Sequence, residues 1–382
     1  MGFIDMINNQ NLKVALVHDF LVDFGGAERV LEVLSEMYPE APIYTLLYDK
    51  HKMRGRFKNR EIHTSFLQKF PKFLRRRKKW LLPFFMVAPE TFDLRDFDLV
   101  ISSSGAWSKG IVTRLNTQHI AYIHSPMRFV WDYSEQYLKD NRKEKMGFCI
   151  RPLLNYVRVW DKLAADRPDH MISNSKYTQK RVAKYYGRES IVVYPPVDIV
   201  PRRDESMPRL YDGERYFLIV SRLSPYKKVD AVVEAFNKLG LPLIVVGEGS
   251  QKKYLQKIAN DNVQILGWKS DEEIVKYYAQ ARAFVFAGVD DFGIAPVEAM
   301  AQGVPVLAVR KGGALEIVEE GKTGEFFDVA VPEVIADGVR RFVENEKNYN
   351  KQDIVDKAGE FSKERFIKEM GEYVENILKS KD

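Results

Sequence analysis

Cysteine is nearly absent from this chain. Cys149 stands alone among 382 residues, which excludes an internal disulfide framework and points to a reducing compartment. The single thiol reads as a small, partly buried apolar residue. Long apolar runs are missing as well: nowhere do about eighteen apolar residues follow one another, so nothing reads as a membrane span. Met1 to Asn11 holds Asp5 and lacks the basic start and apolar core of a signal peptide. A cytoplasmic protein is expected. No His, Cys or acidic residues stand at metal-ligand spacing, so no metal is expected. The GxGxxG spacing of nicotinamide-binding proteins is absent from the loop after the first strand.

What the chain does have is length, ordinary apolar content and a concentrated charge. With 45% hydrophobic and 29% charged residues it is composed like a soluble globular protein, and its length suits two domains of about 150–200 residues. The net charge of +6 is regional: residues 51–80 hold twelve Lys or Arg and one acid, Glu61, leaving −5 for the remainder. Within that region Phe66 to Met86 mixes Lys72, Arg75, Arg76, Arg77, Lys78 and Lys79 with Phe, Leu and Trp80. Cationic side chains beside aromatics suit an anionic lipid surface, at roughly 1 kcal/mol per basic residue near it. Nucleic acid is the rival partner, but the dense Phe, Trp and Leu content favours a bilayer interface, and no nucleic acid is expected.

Apolar strand-like runs alternate with amphipathic helical patterns, the grammar of βαβ units and parallel sheets. Strands are expected at 14–17, 43–47, 99–102, 120–123, 171–173 and 191–194, with a helix from about Ala27 to Tyr38. The second half restarts with strands at 217–220, 243–246, 263–266, 283–286 and 304–309, and helices at 230–239, 250–259 and 271–279. Prolines and charges between them mark a linker. The expected division is a first domain at 1–198, a linker at 199–212 and a second domain at 213–360. An amphipathic last segment, Phe361 to Leu378, is expected to pack back on the first domain. Ligands of doubly wound folds bind beyond the C-terminal ends of the strands, here in a cleft between domains.

The residues at those strand ends carry the chemistry. Gly25-Gly26 opens a helix after the first strand, a place where backbone N–H groups approach an anion; a plain tight turn is the alternative. His18 and Asp19 stand at the end of that strand, as site residues or as loop caps. His124, in Tyr122-Ile-His-Ser-Pro126, can hydrogen-bond a sugar hydroxyl or stabilise charge. Arg222 and Lys227 lie five residues apart on a strand-to-helix loop, a planar fork and a point charge suited to a diphosphate; Lys228 is the lesser neighbour. Gly247-Glu-Gly249 shapes the same pocket, and Gly267-Trp268 lies along a base edge or packs in the core. Gly312-Gly313 is a further loop of this kind or a helix-entry turn. Asp290-Asp-Phe292-Gly293-Ile294-Ala-Pro-Val-Glu298 sets two carboxylates eight residues apart across a glycine loop, with a helix beginning near Ile294. Its N-terminus suits phosphate or sugar oxygens, and Glu298 is placed to grip a diol.

This last pattern resembles the acid–seven–acid motif of the family 4 retaining glycosyltransferases. The likeness extends over nearly the whole chain, through Gly25-Gly26, His124-Ser-Pro126, Tyr194-Pro-Pro-Val-Asp198 and Arg222 to Lys227. It implies the GT-B fold, two Rossmann-like domains facing a central cleft, with a nucleotide-sugar donor on the second domain, an acceptor on the first, and no metal or other cofactor. It implies retention of the anomeric configuration, with His124, Asp290 and Glu298 at the reacting sugar and nucleotide. Gly25, Gly26, Arg222, Lys227, Gly247, Gly267, Trp268, Phe292, Gly293 and Ile294 would bind the donor. Asp290 departs from the usual Glu and is about 1.5 Å shorter in reach; it is expected to face the hexose while Glu298 holds the ribose. The His-Asp-Phe-Leu start and the basic segment look like mannosyltransferases of bacterial surface-polysaccharide assembly. GDP-mannose and a lipid-linked glycan acceptor at the inner membrane face follow, with rhamnose, glucose and N-acetylglucosamine as other donor sugars. A nucleotide-sugar 2-epimerase of the same fold, or a non-catalytic membrane-binding protein, are the alternatives.

Overall fold

The computed structural model describes residues 12–76, 81–140, 147–199 and 215–379. The chain divides into two compact units: one runs up to Pro196 and takes in the residues from Phe366 onward, the other is Val197–Arg365. Nearly all of the linker expected at 199–212 lies outside the described residues.

The first unit is built on a parallel sheet of seven strands in the order β3-β2-β1-β4-β5-β6-β7. These are β1 Val14–Leu21, β2 Ile43–Tyr48, β3 Ile62–Thr64, β4 Leu99–Ser104, β5 Gln118–Ile123, β6 His170–Ser173 and β7 Ile191–Val192. Parallel strands are covered on both faces, so the central ones must be buried throughout; every residue of β4 is. Alternate residues serve opposite layers. Leu16, Ile101, Ile120, Tyr122 and Ile172 share one core with Val30, Leu31, Leu34 and Met37, and with Phe366, Met370, Val374 and Ile377 of the last helix. Ala15, Val17 and Val100 turn to the other layer. The helix Gly26–Met37 forms because its apolar residues recur at helical spacing, and Pro39 cannot extend it. Each large apolar side chain it buries contributes roughly 1.5–3 kcal/mol.

The second unit repeats the plan with six parallel strands, β10-β9-β8-β11-β12-β13. They are β8 Phe217–Val220, β9 Leu243–Val246, β10 Val263–Leu266, β11 Ala283–Phe286, β12 Val306–Val309 and β13 Gly324–Phe327. Both sheets are doubly wound: chain direction across the sheet reverses between β1 and β4, and between β8 and β11. In folds of this kind that reversal opens a crevice at the C-terminal strand ends.

Several elements differ from the sequence pattern. β3 and β13 have no apolar run long enough to announce them. β3 is a three-residue edge strand with no residue buried, and β13 begins at Gly324, where a Cβ would meet the Val306 carbonyl oxygen at 1.9 Å. The strand at 304–309 starts only at Val306, and that at 191–194 stops at Val192. The last helix begins at Lys363; Phe361 packs instead against Phe292 in the second unit, ring centroids 5.2 Å apart.

The apolar residues of the basic segment are divided between core and surface. Lys72–Arg76 and Leu82–Val87 form two short helices, and Arg77, Lys78, Lys79 and Trp80 lie outside the described residues. Leu67, Leu81, Phe85 and Met86 are buried in a cluster with Trp107, Leu154 and Val157, so much of the apolar content read as lipid-facing is internal core. Among the described residues of this segment, Phe73, Phe84 and Val87 are the large apolar ones that are exposed. Among the described residues no helix is long and apolar enough to cross a membrane.

Candidate active site

In the first unit, the reversal between β1 and β4 is filled by a run of hydrogen-bonded side chains. His18 and Ser103 are register partners across β1 and β4, and His18 Nδ1 lies 3.1 Å from Ser103 Oγ. The same Oγ lies 2.8 Å from His124 Nε2, just past the end of β5. On its other side His18 Nε2 is 3.4 Å from Glu28 Oε1, and the second carboxylate oxygen of Glu28 accepts the Gly25 N–H at 2.8 Å. The residues that fold this segment thus also join it: Gly25 and Glu28 form the return half of a capping box at the start of their helix.

Asp19 is a loop cap. Its buried carboxylate accepts the N–H groups of Gly105, Trp107 and Ser108 at 2.6–2.8 Å, which fixes the turn after β4. The amide of Gly25, read as open to an anion, is taken up by Glu28; Gly26 beside it is exposed. The turn that follows His124 is held as well. Arg181, 5% exposed, donates to Ser125 Oγ at 2.8 Å, to the Pro126 carbonyl at 3.2 Å and to Asp132 at 2.9 Å. No sequence motif marked Ser103, Glu28 or Arg181.

In the second unit the corresponding reversal is charged. Lys227 Nζ, from the loop after β8, forms an ion pair with Asp290 Oδ2, from the loop after β11. Both side chains are mostly buried, and a small pocket beside them is lined by Ser221, Lys227, Phe286 and Gly288. Arg222 is exposed and its guanidinium has no partner among the described residues, so its five donors are open to an anion. Glu298, in the helix Ile294–Ala301, accepts the O–H of buried Tyr278 at 2.9 Å. That tyrosine lies on the helix Asp271–Gln280, where it reads from sequence as ordinary core.

The glycines here are steric necessities. A Cβ at Gly247 or Gly249 would fall about 2 Å from the carbonyl oxygens of Ser221 and Leu223, at 1.9 and 2.1 Å. Gly293 takes φ +118°, outside the range of other residues. Gly312 and Gly313 buttress the loop of the acidic motif: Gly313 N–H donates to the Asp290 carbonyl at 2.9 Å. Phe292 is buried, so its backbone, not its ring, is what the loop can present. Glu248 spans the ends of β9 and β10, accepting from Lys252 Nζ at 2.7 Å and from the Trp268 N–H at 3.3 Å. The hydrogen bond from Lys252 holds its carboxyl below the usual range. Trp268 is 51% exposed, which removes the core-packing alternative. Gly267, between them, closes with its carbonyl on the Gly247 N–H at 3.2 Å.

The structure therefore gathers Arg222, Lys227 and Asp290 with the start of the Glu298 helix around one sheet reversal, and His124 with His18 around the other. Cations with N–H-rich helix and loop ends neutralise a diphosphate, a fixed carboxylate holds a diol, and an imidazole exchanges hydrogen bonds with a hydroxyl.

Two family models divide the chain between them. That described as glycosyl transferases group 1 matches residues 202–360, and that described as glycosyltransferase family 4 matches residues 24–200. An uncharacterised glycosyltransferase of Methanocaldococcus jannaschii is 24% identical over 348 residues, covering 88% of this chain and 90% of that one. The GDP-mannose-dependent alpha-(1-6)-phosphatidylinositol monomannoside mannosyltransferase of Mycobacterium tuberculosis is 30% identical over 229 residues, 53% of this chain and 59% of the relative. Among solved structures, sucrose-phosphate synthase from Thermosynechococcus elongatus aligns over 96% of this chain and 100% of its own, with a TM-score of 0.74 and 17% identity. HepE of Anabaena, in complex with UDP-glucose, aligns over 96% and 99% with a TM-score of 0.66 and 19% identity. At such identities the structural likeness is one of fold.

Proposed function

This chain belongs to glycosyltransferase family 4 and has the GT-B fold, and on that footing we propose that it transfers mannose from GDP-mannose to a lipid-linked glycan at a membrane surface. The observation that carries the donor site is the Lys227–Asp290 pair at the reversal of the second sheet, with exposed Arg222 on the same loop as Lys227. Arg222 and Lys227 take the diphosphate, the N-terminus of the helix Ile294–Ala301 adds its N–H groups, and Glu298, held by Tyr278, takes the ribose diol. Asp290 is the right length to hold Lys227 and to face the hexose, so the lysine passes from one carboxylate to a share of the diphosphate when donor arrives. Trp268 offers its exposed face to the base. His124 takes a hydroxyl of the reacting sugar.

The reaction breaks the bond from the anomeric carbon to the diphosphate oxygen and forms one to the acceptor oxygen on the same face. The acceptor proton goes to the departing diphosphate, whose negative charge is stabilised by Arg222 and Lys227; configuration is retained. Since these cations and the helix end supply the neutralisation, turnover does not need a metal. The choice of mannose rests on the mannosyltransferase relatives and on the sequence resemblance. The choice of membrane rests on Lys72, Phe73 and Arg75, on exposed Phe84 and Val87, and on a second exposed stripe, Leu153, Tyr156, Val159 and Leu163, on the helix Gly147–Ala164.

The test is product analysis by mass spectrometry with GDP-mannose, UDP-glucose and UDP-N-acetylglucosamine, each with a polyprenyl-diphosphate-linked saccharide and with EDTA present. One hexose added to the lipid from GDP-mannose alone is expected. An epimerised sugar nucleotide formed without acceptor would replace the transferase reading with an epimerase. Sedimentation with anionic liposomes, weakened when Lys72 and Arg75 become Ser, tests the membrane part; unchanged sedimentation would remove it.

A further inference from the structure

The polar run in the first unit has a direction, and the direction decides which nitrogen of His124 carries a proton. Glu28 uses its two oxygens on two different donors: Oε2 on the Gly25 N–H at 2.8 Å and Oε1 on His18 Nε2 at 3.4 Å. A carboxylate only accepts, so His18 Nε2 carries a proton, and a ring with a single proton then leaves Nδ1 as an acceptor. His18 is 2% exposed and Ser103 is fully buried, so neither can turn to water for an alternative. His18 Nδ1 then accepts from the Ser103 hydroxyl at 3.1 Å. That hydroxyl has one proton, already given, and its oxygen accepts from His124 Nε2 at 2.8 Å.

We propose that Glu28, His18 and Ser103 form a positioning relay that fixes His124 as the Nε2–H tautomer, so that Nδ1 is its acceptor nitrogen. Every member is a positioning residue; only His124 is taken to touch substrate, and this consequence for turnover rests on the function proposed above. With the proton on Nε2, His124 receives a hydrogen bond from a sugar hydroxyl at Nδ1 and does not donate one there. The ring therefore selects for a hydroxyl held with its hydrogen inward, and adds electron density to that hydroxyl oxygen as positive charge grows at the anomeric carbon.

Glu28→Gln makes the direction testable, because the two oxygens of Glu28 do different jobs. The Gln amide has one acceptor and one donor end. The Gly25 N–H demands the acceptor, which turns the NH₂ group toward His18 Nε2. That nitrogen must now accept, His18 carries its proton on Nδ1, Ser103 donates to His124 Nε2, and His124 moves its proton to Nδ1. One isosteric change at the start of the relay thus reverses the ring at its end, past two residues that are not altered.

The experiment is nitrogen-15 NMR of the full-length chain with labelled histidine, well above the usual histidine pKa of about 6.5 so that rings are neutral. His124→Gln identifies the signal among the six histidines. A protonated, pyrrole-type Nε2 and an unprotonated, pyridine-type Nδ1 are expected for His124 in the parent. Glu28→Gln should exchange the two types, and Ser103→Ala, which removes the middle of the relay, should give a mixture. A His124 tautomer unchanged in Glu28→Gln and Ser103→Ala, with unfolding midpoints that show both variants folded, overturns the relay. Should either variant fail to fold, the parent spectrum alone decides: a proton on Nδ1 of His124 contradicts the assignment. If the exchange occurs and sugar transfer falls about tenfold, the loss expected for one oriented hydrogen bond, relay and role both stand. If the exchange occurs with transfer untouched, the relay stands and the role given to His124 fails.

Discussion

The two sheets are wound alike and place opposite chemistries at the same topological point. Where β1 and β4 part, Glu28, His18, Ser103 and His124 are hydrogen-bonded in series. Where β8 and β11 part, the side chains are ionic: Lys227 and Asp290 face each other and Arg222 is open. The first arrangement can orient a hydroxyl but cannot hold a diphosphate; the second can hold a diphosphate. An ion pair taken from each unit shows the same contrast in its exposure. Lys109 and Asp161 of the first unit are 1% and 0% exposed. Asp161 also accepts from Trp131 Nε1 at 2.7 Å and from the Tyr186 hydroxyl at 2.9 Å, so it is fully engaged. Lys227 and Asp290 are 15% and 19% exposed, and Lys227 lines a pocket.

The largest effect expected from this contrast is on stability. Lys109→Met leaves Asp161 as a buried charge without its cation and should cost about 3–5 kcal/mol in denaturant unfolding. Lys227→Met, whose pair is 15% and 19% exposed and not fully buried, should cost less than that. Equal losses would erase the distinction between a structural and a functional pair.

Next in size is a pH effect confined to the first sheet. His119, on β5, is fully buried with Nε2 2.8 Å from Ser102 Oγ, and burial pushes its pKa down from 6.5 to about 3. Between those values the unfolded chain binds a proton that the folded chain refuses, so stability falls as pH drops below 6.5, by about 1.4 kcal/mol per unit. His119→Asn should flatten the slope of unfolding free energy between pH 7 and about 5; an unchanged slope would assign the acid sensitivity elsewhere. The smallest effect is at the second site. Tyr278→Phe removes the hydroxyl that holds Glu298 and should weaken nucleotide binding by about 0.5–1.5 kcal/mol, up to roughly tenfold in Kd, with the fold intact.

What the sequence made legible follows from distance along the chain. Strand-to-loop-to-helix signals are local, and they located Arg222, Lys227, the Asp290 to Glu298 motif and His124 at strand ends. Contacts between elements far apart in sequence leave no such signal. Ser103 meets His18 across 85 residues, and Tyr278 meets Glu298 from a neighbouring helix that has its own amphipathic reason to carry a tyrosine. The Phe66 to Met86 segment was legible only in part, for a different cause. Its composition is interfacial, yet Leu67, Leu81, Phe85 and Met86 are needed to fill a local core. Composition does not say which side of a short helix faces inward. The short strands β3 and β13 escaped because three or four residues beside glycines or charges show no periodicity.

The division of labour between the two sheet reversals is tested most directly by calorimetric titration of GDP into the parent, Lys227→Met, Arg222→Ala and His124→Gln proteins without added metal. We expect GDP binding to fall at least about tenfold in the Lys227 and Arg222 variants, which lose charge-assisted hydrogen bonds to the diphosphate, and to be unchanged in His124→Gln. GDP binding that survives in Lys227→Met and Arg222→Ala but is lost in His124→Gln would place the nucleotide at the first sheet and contradict the assignment made here.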